Sequence, residues 1–336
     1  MSVTTRIQEL NNRLATNLVS KGVSAEGTET TTELINKVNY IESGGTSVIN
    51  PEWTDWRHFS YYDNRNDLVA KLKYSDTANG TNFSSMFNYC NALTSIPQLD
   101  TSKGTSFSYM FSNCGKLTSI PQLDTSNGTN FSSMFNGCGK LTSIPQLDTS
   151  NGTSFTSMFQ NCNTLTSVPQ LDTSNGTNFY SMFNGCGKLT SIPQLNTSNG
   201  TSFFSMFQNC STLTSVPQLD TSKGTNFSYM FQGCGKLTTI SLLNMSSMSG
   251  TSWSGMFGSC TALENVTFEG TIPVRGNMSV FSSCPNLTVD SLMSFINALT
   301  NMNSSATYTI TIGSTNLAKL TEEQIQIATD KRITLQ

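Results

Sequence analysis

Charged side chains are scarce in this sequence. Asp, Glu, Lys and Arg make up 12% of the 336 residues, about half the usual share. Ser, Thr, Asn and Gly take their place rather than additional apolar residues. A formal net charge of −3 does not suggest the clustered basic surface that follows nucleic-acid phosphates. The composition therefore argues against a nucleic-acid-binding protein.

Long apolar runs are also missing. No stretch approaches the 18 or more apolar residues of a transmembrane helix, so no membrane insertion is expected. The first 18 residues contain neither an apolar core nor a small-residue cleavage site, which argues against a secretory signal. We expect the chain to stay in the cytoplasm or to leave it without a cleaved signal.

The residues that most often perform catalysis or bind metals are few. His58 is the only histidine, and no CxxC pair occurs, so a zinc site is not expected. A single histidine within an aromatic segment does not suggest a Ser–His or Cys–His pair. The sequence therefore predicts no enzyme, no catalytic residues, no metal and no cofactor.

The nine cysteines follow a regular spacing. Seven recur every 24 residues: Cys90, Cys114, Cys138, Cys162, Cys186, Cys210 and Cys234. A disulfide framework is more typical of even counts at irregular spacings. One cysteine per unit predicts a buried structural column of reduced thiols, because free cysteine packs as a small apolar residue.

The spacing reflects a 24-residue repeat that runs from about Asp76 to Cys284 and falls in the leucine-rich-repeat range. In the unit 117–140, the residues Phe131, Met134, Phe135 and Cys138 stand at i, i+3, i+4 and i+7, a spacing that predicts a short helix. Thr129 stands at the expected N-cap position. The segment 141–144 before Pro145 predicts a brief strand.

Stacked units give an α/β leucine-rich-repeat solenoid, with a parallel sheet on one face, short helices on the other and caps at both ends. Residues 1–45 are predicted to be a helical attachment or oligomerisation segment, and residues 76–288 to be the repeats. Residues 46–75 form the predicted N-terminal cap, with Trp53, Trp56, Phe59, Tyr61, Tyr62 and Leu68 as its apolar side chains or, alternatively, an aromatic ligand platform.

The predicted C-terminal α/β cap covers residues 289–336. Val289 to Thr300 is expected to be helical, with Leu292, Phe295, Ile296 and Leu299 on one face. Residues 307–312 alternate as a strand does. A last helix is expected to start at Thr321, followed by two glutamates that favour its first turn.

Two surfaces are candidates for binding. The first is a ladder of uncharged side chains at exposed strand positions, represented by Thr118, Gln122, Thr142 and Gln146. It would suit a glycan, or it is a copied solubilising surface. The second is the variable pair before each repeat methionine, which contains Tyr109, Tyr180, Phe204 and Tyr229. Exposed aromatics stack on sugars or grip partners, although drift at tolerant positions is the alternative.

A column of acidic residues accompanies the repeats: Asp100, Asp124, Asp148, Asp172 and Asp220, with Asn196 in the same position. An aspartate side chain can accept a backbone N–H two residues on and thereby form a turn. Asparagine makes the same turn, which favours that role. Calcium binding is the alternative, since carboxylates are calcium ligands.

The MFxxCxxLTSIP and LDTSxGTxF segments resemble the BspA-type leucine-rich repeats of bacterial and phage surface proteins, and DTSNVT and MFxxC segments occur similarly in mycoplasma repeats. The resemblance covers residues 76–288. The ending, NLTVDSLMSFINALTN followed by LAKLTEEQIQIATDKRITL, is similar to segments that follow such repeats in phage and prophage proteins. The opening, LVSKGVSAEGTETTTELINKVNYI, is similar to the N-termini of structural proteins of phages of Gram-positive hosts.

This resemblance implies a phage virion surface protein of the tail, fibre or baseplate that adheres to a bacterial cell-surface glycan or protein. Residues 1–45 would contact other virion proteins and form a homo-oligomer, with a trimer as one candidate, because multivalency strengthens weak contacts. The protein would be located in the virion after assembly in the host cytoplasm. The alternatives are a purely structural fibre or decoration protein and a bacterial surface adhesin.

Overall fold

The computed structural model describes residues 54–61, 72–248, 252–303 and 305–336, together with the single residues 12 and 69. Apart from residue 12, the predicted attachment segment 1–45 lies outside the described residues. The same holds for three predicted cap residues, Trp53, Tyr62 and Leu68, and for the side chain of Tyr61.

The repeats stack in parallel, and each 24-residue unit is called a coil below. Backbone N–H groups bond each coil to the next: Phe131 donates to the Ser154 carbonyl at 3.1 Å and Phe135 to the Met158 carbonyl at 2.9 Å. A parallel bridge recurs once per coil from Asn82 to Asn226. This pairing requires neighbouring coils to run in the same direction, as the repeat pattern predicts.

The segment that was predicted to be a helix is a string of β-turns, so that prediction is wrong. Met134 donates to the Phe131 carbonyl at 3.2 Å and Cys138 to the Phe135 carbonyl at 3.0 Å. The third residue of each turn, Ser133 or Gly137, has a φ of 55° or 75°, as in type II turns. No regular helix can contain such residues, because left-handed backbone breaks the right-handed spiral.

The N–H groups that a helix would use internally bond to the next coil instead. Ser133 donates to the Thr156 carbonyl and Gly137 to the Gln160 carbonyl, both at 2.8 Å. Thr129 is no helix N-cap either, because its Oγ1 donates to the Thr105 carbonyl at 3.1 Å. Stacking therefore takes precedence over helix formation along this side of each coil.

The predicted strand at 141–144 is also absent as a regular element, whereas its counterpart near the end of the stack is present. Strand β1 (Thr239–Asn244) pairs in parallel with β2 (Asn265–Glu269). Pro145 occupies the position that Ser241 holds in β1. Proline has no N–H to donate to a ladder, so earlier coils make single contacts here, such as Thr118 N–H to the Thr94 carbonyl at 3.1 Å.

The core consists of columns of identical side chains. One column of stacked rings runs from Phe83 to Phe227, with centroids 5.5–6.1 Å apart. A second runs from Phe87 to Phe257, with centroids 5.4–6.2 Å apart. The methionine, cysteine and leucine columns are buried beside them. No coil encloses this surface by itself, so burial depends on the neighbouring coils.

Two short 3₁₀ helices precede the regular coils, at Trp56–Tyr61 and Tyr74–Thr77. Trp56 and Phe59 are buried, and Phe59 packs edge-on against Phe87 at 5.8 Å. These two aromatic residues of the predicted N-terminal cap therefore pack at the beginning of the phenylalanine columns.

The last part of the chain mixes short strands and helices. The strands after β2 are β3 (Ile272–Val274), β4 (Met278–Ser279), β5 (Leu299–Asn301), β6 (Tyr308–Thr311) and β7 (Ile333–Leu335), and the helices are α1 (Val289–Ala298), α2 (Ser314–Leu317) and α3 (Glu322–Asp330). Strand β3 pairs with β5, and β6 lies between β4 and β7, all in parallel.

These elements agree closely with the sequence prediction for the C-terminal region. Leu292, Phe295 and Ile296 are buried on α1, and Thr321 caps α3 by accepting the Gln324 N–H at 3.3 Å. Leu299 is buried but belongs to β5 rather than to the helix. None of the described helices combines the length and apolar character needed to cross a bilayer.

Candidate binding surfaces

All nine cysteines are buried and none of them forms a disulfide. From Cys114 to Cys234, each regularly spaced cysteine donates to a phenylalanine carbonyl of the preceding coil, as Cys138 Sγ does to Phe111 at 3.1 Å. Burial raises the pKa of Cys162 and of Cys234 to about 12. The column therefore consists of protonated thiols that help to hold the coils together.

We expect the native thiols to resist alkylation and disulfide exchange at pH 8, because the reactive thiolate is suppressed and no solvent reaches the sulfur. Ellman's reagent should report essentially no reactive thiol in the folded protein and nine after unfolding in guanidinium chloride. Rapid reaction of even one thiol in the folded protein would contradict a fully packed column.

The glutamines of the predicted ladder bridge neighbouring coils. Gln122 Nε2 donates to the Gln146 carbonyl at 2.6 Å and to the Leu123 carbonyl at 3.0 Å, and Gln146 repeats this with Gln170 and Leu147. Both amide hydrogens are thus engaged, while the exposed Oε1 atom remains available. The hydroxyl of Thr118 donates to the Thr94 carbonyl, and the Thr142 carbonyl accepts from Thr166.

The aspartate column forms the turns that its sequence position predicts. Asp148 Oδ1 accepts from Ser150 Oγ at 2.6 Å and from the Ser150 N–H at 3.0 Å, and these two hydrogen bonds lower the pKa of the Asp148 carboxyl. Asn196 makes the same turn with Ser198, accepting its N–H at 3.1 Å. A carbonyl oxygen is therefore sufficient for the turn, and the negative charge is not required.

The glutamine and aspartate columns share one surface, which we call the Gln face: Gln98, Gln122, Gln146, Gln170, Gln194 and Gln218 with the Asp/Asn residue two positions after each. Two shallow cavities follow it. One has a volume of about 520 Å³ and extends from Tyr74 to Asp148. The other has a volume of about 880 Å³ and extends from Gln170 to Glu269.

Three of the four predicted binding aromatics lie together on another surface, the turn face, formed by residues 129–138 and their equivalents. Tyr180 stacks on Phe204 with centroids 4.9 Å apart, and Phe204 meets Tyr229 edge-on at 5.7 Å. Tyr180 and Phe204 occupy the same position in consecutive coils, whereas Tyr229 stands one position later in the next coil. Tyr109 is 47% exposed and lies three coils before Tyr180.

Sequence reasoning missed two further exposed aromatics, Tyr74 and Tyr89. Tyr89 stands on the turn face, where other coils carry Asn113 or Gly137, and that departure from the repeat was the available signal. Tyr74 immediately precedes the first regular coil and contributes to the smaller cavity of the Gln face. Only the stacking of the coils reveals this placement.

A family model described as "Mycoplasma protein of unknown function, DUF285" matches residues 58–168 and 153–271, which together span more than half of the chain. The chain belongs to this family. A second model, "BspA type Leucine rich repeat region (6 copies)", matches residues 224–326. The expected BspA-type leucine-rich repeat is therefore confirmed, and the family's description assigns no function.

Among solved structures, the chain is similar to the crystal structure of the T. pallidum leucine-rich-repeat protein. The two are 15% identical, the match covers 72% of this chain and 84% of that chain, and the TM-score is 0.29. A comparison with curated proteins gives no match.

Proposed function

We propose that this protein is a surface component of a phage particle, in the tail, fibre or baseplate, that adheres to a receptor on the bacterial cell. The turn face around Tyr180, Phe204 and Tyr229 is the proposed contact surface. The observation that carries the proposal is the uneven distribution of sequence changes between coils, since the Gln face is copied almost unchanged while exposed residues of the turn face vary.

The fold does not require any of these three aromatic side chains. Ser132 occupies the position of Tyr180 and Phe204, and its coil has the same turns and the same hydrogen bonds to its neighbour. Tyr229 has a φ of 59°, and serine adopts the same left-handed conformation at this position in other coils, as Ser133 and Ser205 do. The turn therefore does not require the tyrosine ring. An exposed Tyr180 beside the half-buried rings of Phe204 and Tyr229 on a polar surface is therefore better explained by contact with a partner than by folding.

The remainder of the proposal rests on the resemblance to phage proteins at the two ends of the sequence. Residues 1–45 would attach the protein to other virion proteins and form a homo-oligomer, and the stack would project outward as a solenoid capped at both ends. A purely structural fibre or decoration protein would not need an aromatic cluster on the turn face. The receptor would be a glycan or a protein of the cell surface.

The test is the binding of fluorescently labelled full-length protein to a panel of intact bacteria. We expect saturable labelling of particular strains, and about thirtyfold weaker binding by the double variant Tyr180→Ser/Phe204→Ser, because central aromatic contacts are worth about 2 kcal/mol or more. Serine is the residue that other coils carry there, so the variant should fold normally.

The matched control is Tyr109→Ser, which removes an exposed tyrosine outside the cluster and should leave labelling unchanged. Labelling of no strain, or equal labelling by the double variant and the wild type, would contradict adhesion through this cluster.

A further inference from the structure

The two cavities of the Gln face form a second surface whose chemistry differs from that of the turn face. Both cavities run along the glutamine and aspartate columns. The smaller cavity begins at Tyr74, and the larger one ends at Glu269. Six glutamines mark its length from Gln98 to Gln218, which corresponds to about 24 Å at a parallel-strand spacing of about 4.8 Å. A surface of this length suits an extended ligand.

The hydrogen-bond donors of this surface are almost all engaged. Each glutamine gives both amide hydrogens to carbonyls, as Gln194 does to Leu195 and Gln218. The threonine that follows the Asp/Asn position of each coil donates its hydroxyl to a backbone carbonyl of the next coil, as Thr197 does to the Asp220 carbonyl at 2.8 Å. Ser222 likewise donates to Asp220 Oδ1 at 2.6 Å.

The atoms that remain for a ligand are therefore acceptors. In the part of the chain that the structure describes, none of the hydrogen bonds ends on Oε1 of the six glutamines, and the serine of each turn engages Oδ1 of the aspartate rather than Oδ2. Glu269 adds a carboxylate at one end, where its Oε2 accepts from Asn244 Nδ2 at 3.0 Å. Asn196 is the exception, since its Nδ2 donates in none of these bonds.

The charge of the surface is negative along its length. The carboxylates of Asp124, Asp148, Asp172 and Asp220 are exposed. Two lysines lie in the adjoining loops, where Lys103 Nζ bonds to Asn79 Oδ1 and Lys223 Nζ to Asn199 Oδ1. The hydrogen bonds from Ser222 and, to a smaller extent, the charge of Lys223 lower the pKa of the Asp220 carboxyl. Neither lysine lines the cavities. Tyr74, which is 54% exposed, offers at one end an aromatic ring that can attract a cation.

We propose that the Gln face binds a linear polysaccharide that carries free amino groups. Such a chain supplies hydroxyl donors to a surface that offers mainly acceptors, and its ammonium groups complement the carboxylates that recur along the face, as in Asp124, Asp148 and Asp172. This site is distinct from the aromatic cluster and does not depend on the function proposed for it.

The test measures the binding of a glucosamine hexamer and of an N-acetylglucosamine hexamer by calorimetry at pH 6, in low and in high salt. We expect the glucosamine hexamer to bind at least tenfold more tightly in low salt, with the difference shrinking in high salt because exposed charge pairs are screened. The triple variant Asp124→Asn/Asp148→Asn/Asp172→Asn should lose most of this difference.

Asn196 shows why the triple variant tests binding rather than folding, since asparagine already forms the same turn in this protein. The Tyr180→Ser/Phe204→Ser variant should bind the glucosamine hexamer like the wild type, which separates this site from the proposed receptor contact.

Three results would overturn the proposal. The first is equal affinity for the two hexamers, and the second is equal affinity of the triple variant and the wild type for the glucosamine hexamer. The third is a lysine hexamer that binds as tightly as the glucosamine hexamer with the same dependence on the aspartates, because the face would then be a general cation-binding surface.

Discussion

Replacing Phe155 by alanine is expected to lower the free energy of unfolding by about 3–5 kcal/mol. The ring is completely buried and stacks between Phe131 at 6.0 Å and Phe179 at 6.1 Å. Its tip lies 2.7 Å from where a Cβ on Gly152 would stand, and glycine has no side chain that could fill the space. The substitution would therefore leave a cavity in the middle of the stack.

The measurement is guanidinium chloride unfolding followed by circular dichroism, comparing midpoints at constant slope. Phe155→Leu should lose much less than the alanine variant because most of the volume is kept, and Thr142→Ala, at an exposed position, should change stability by less than about 0.5 kcal/mol. An alanine variant within 1 kcal/mol of the wild type would show that the coils collapse around the lost ring.

Gly137→Ala is the second substitution with a large expected effect, a loss of about 1–3 kcal/mol. Gly137 has a φ of 75°, which costs a non-glycine residue about 1 kcal/mol or more. A Cβ at this position would stand 2.8 Å from Asn113 Oδ1. The methyl group would meet both a backbone penalty and a steric one.

Gly139→Ala, two residues away, provides the matched control. A Cβ at Gly139 would meet no atom within 4 Å and its φ is not positive, so the same chemical change should be neutral or slightly stabilising. Adding Asn113→Gly to Gly137→Ala should recover the steric part of the loss and leave the backbone part, because glycine tolerates the φ of 60° at position 113. Equal stability of the two single glycine variants, measured by the same unfolding experiment, would refute this account.

The repeat, its period and its parallel stacking could be predicted from the sequence, but the path of the chain within a coil could not. Phe131, Met134, Phe135 and Cys138 have helical spacing, yet a chain of β-turns that advances every four residues buries the same positions. The available signal was the composition at the left-handed positions, where Ser133, Gly137 and most of their equivalents are serine, glycine or asparagine, with tyrosine as the exception at Tyr89, Tyr109 and Tyr229. Periodicity alone does not distinguish the two structures.

The candidate surfaces were predictable as positions but not as chemistry. The exposed glutamines follow from the repeat. Whether both amide hydrogens of each glutamine are bonded depends on the distance from its Nε2 to the carbonyl of the next coil, and only the stacked structure gives that distance. In the same way, four variable aromatics could be identified, but their grouping depends on coil order. Tyr180, Phe204 and Tyr229 occupy consecutive coils, while Tyr109 is three coils away from the cluster.

The column that contains Gly137 also restricts how such a protein can grow or shrink. From Asn113 to Gly233 the residue alternates between asparagine and glycine, and each asparagine side chain occupies the space that a Cβ of the following coil would need, as Asn161 does over Gly185 at 2.6 Å. Removing a coil that carries glycine would place asparagine on asparagine, whereas removing a neighbouring pair keeps the alternation. The segment that can be deleted or duplicated without changing these contacts is thus a 48-residue pair of coils.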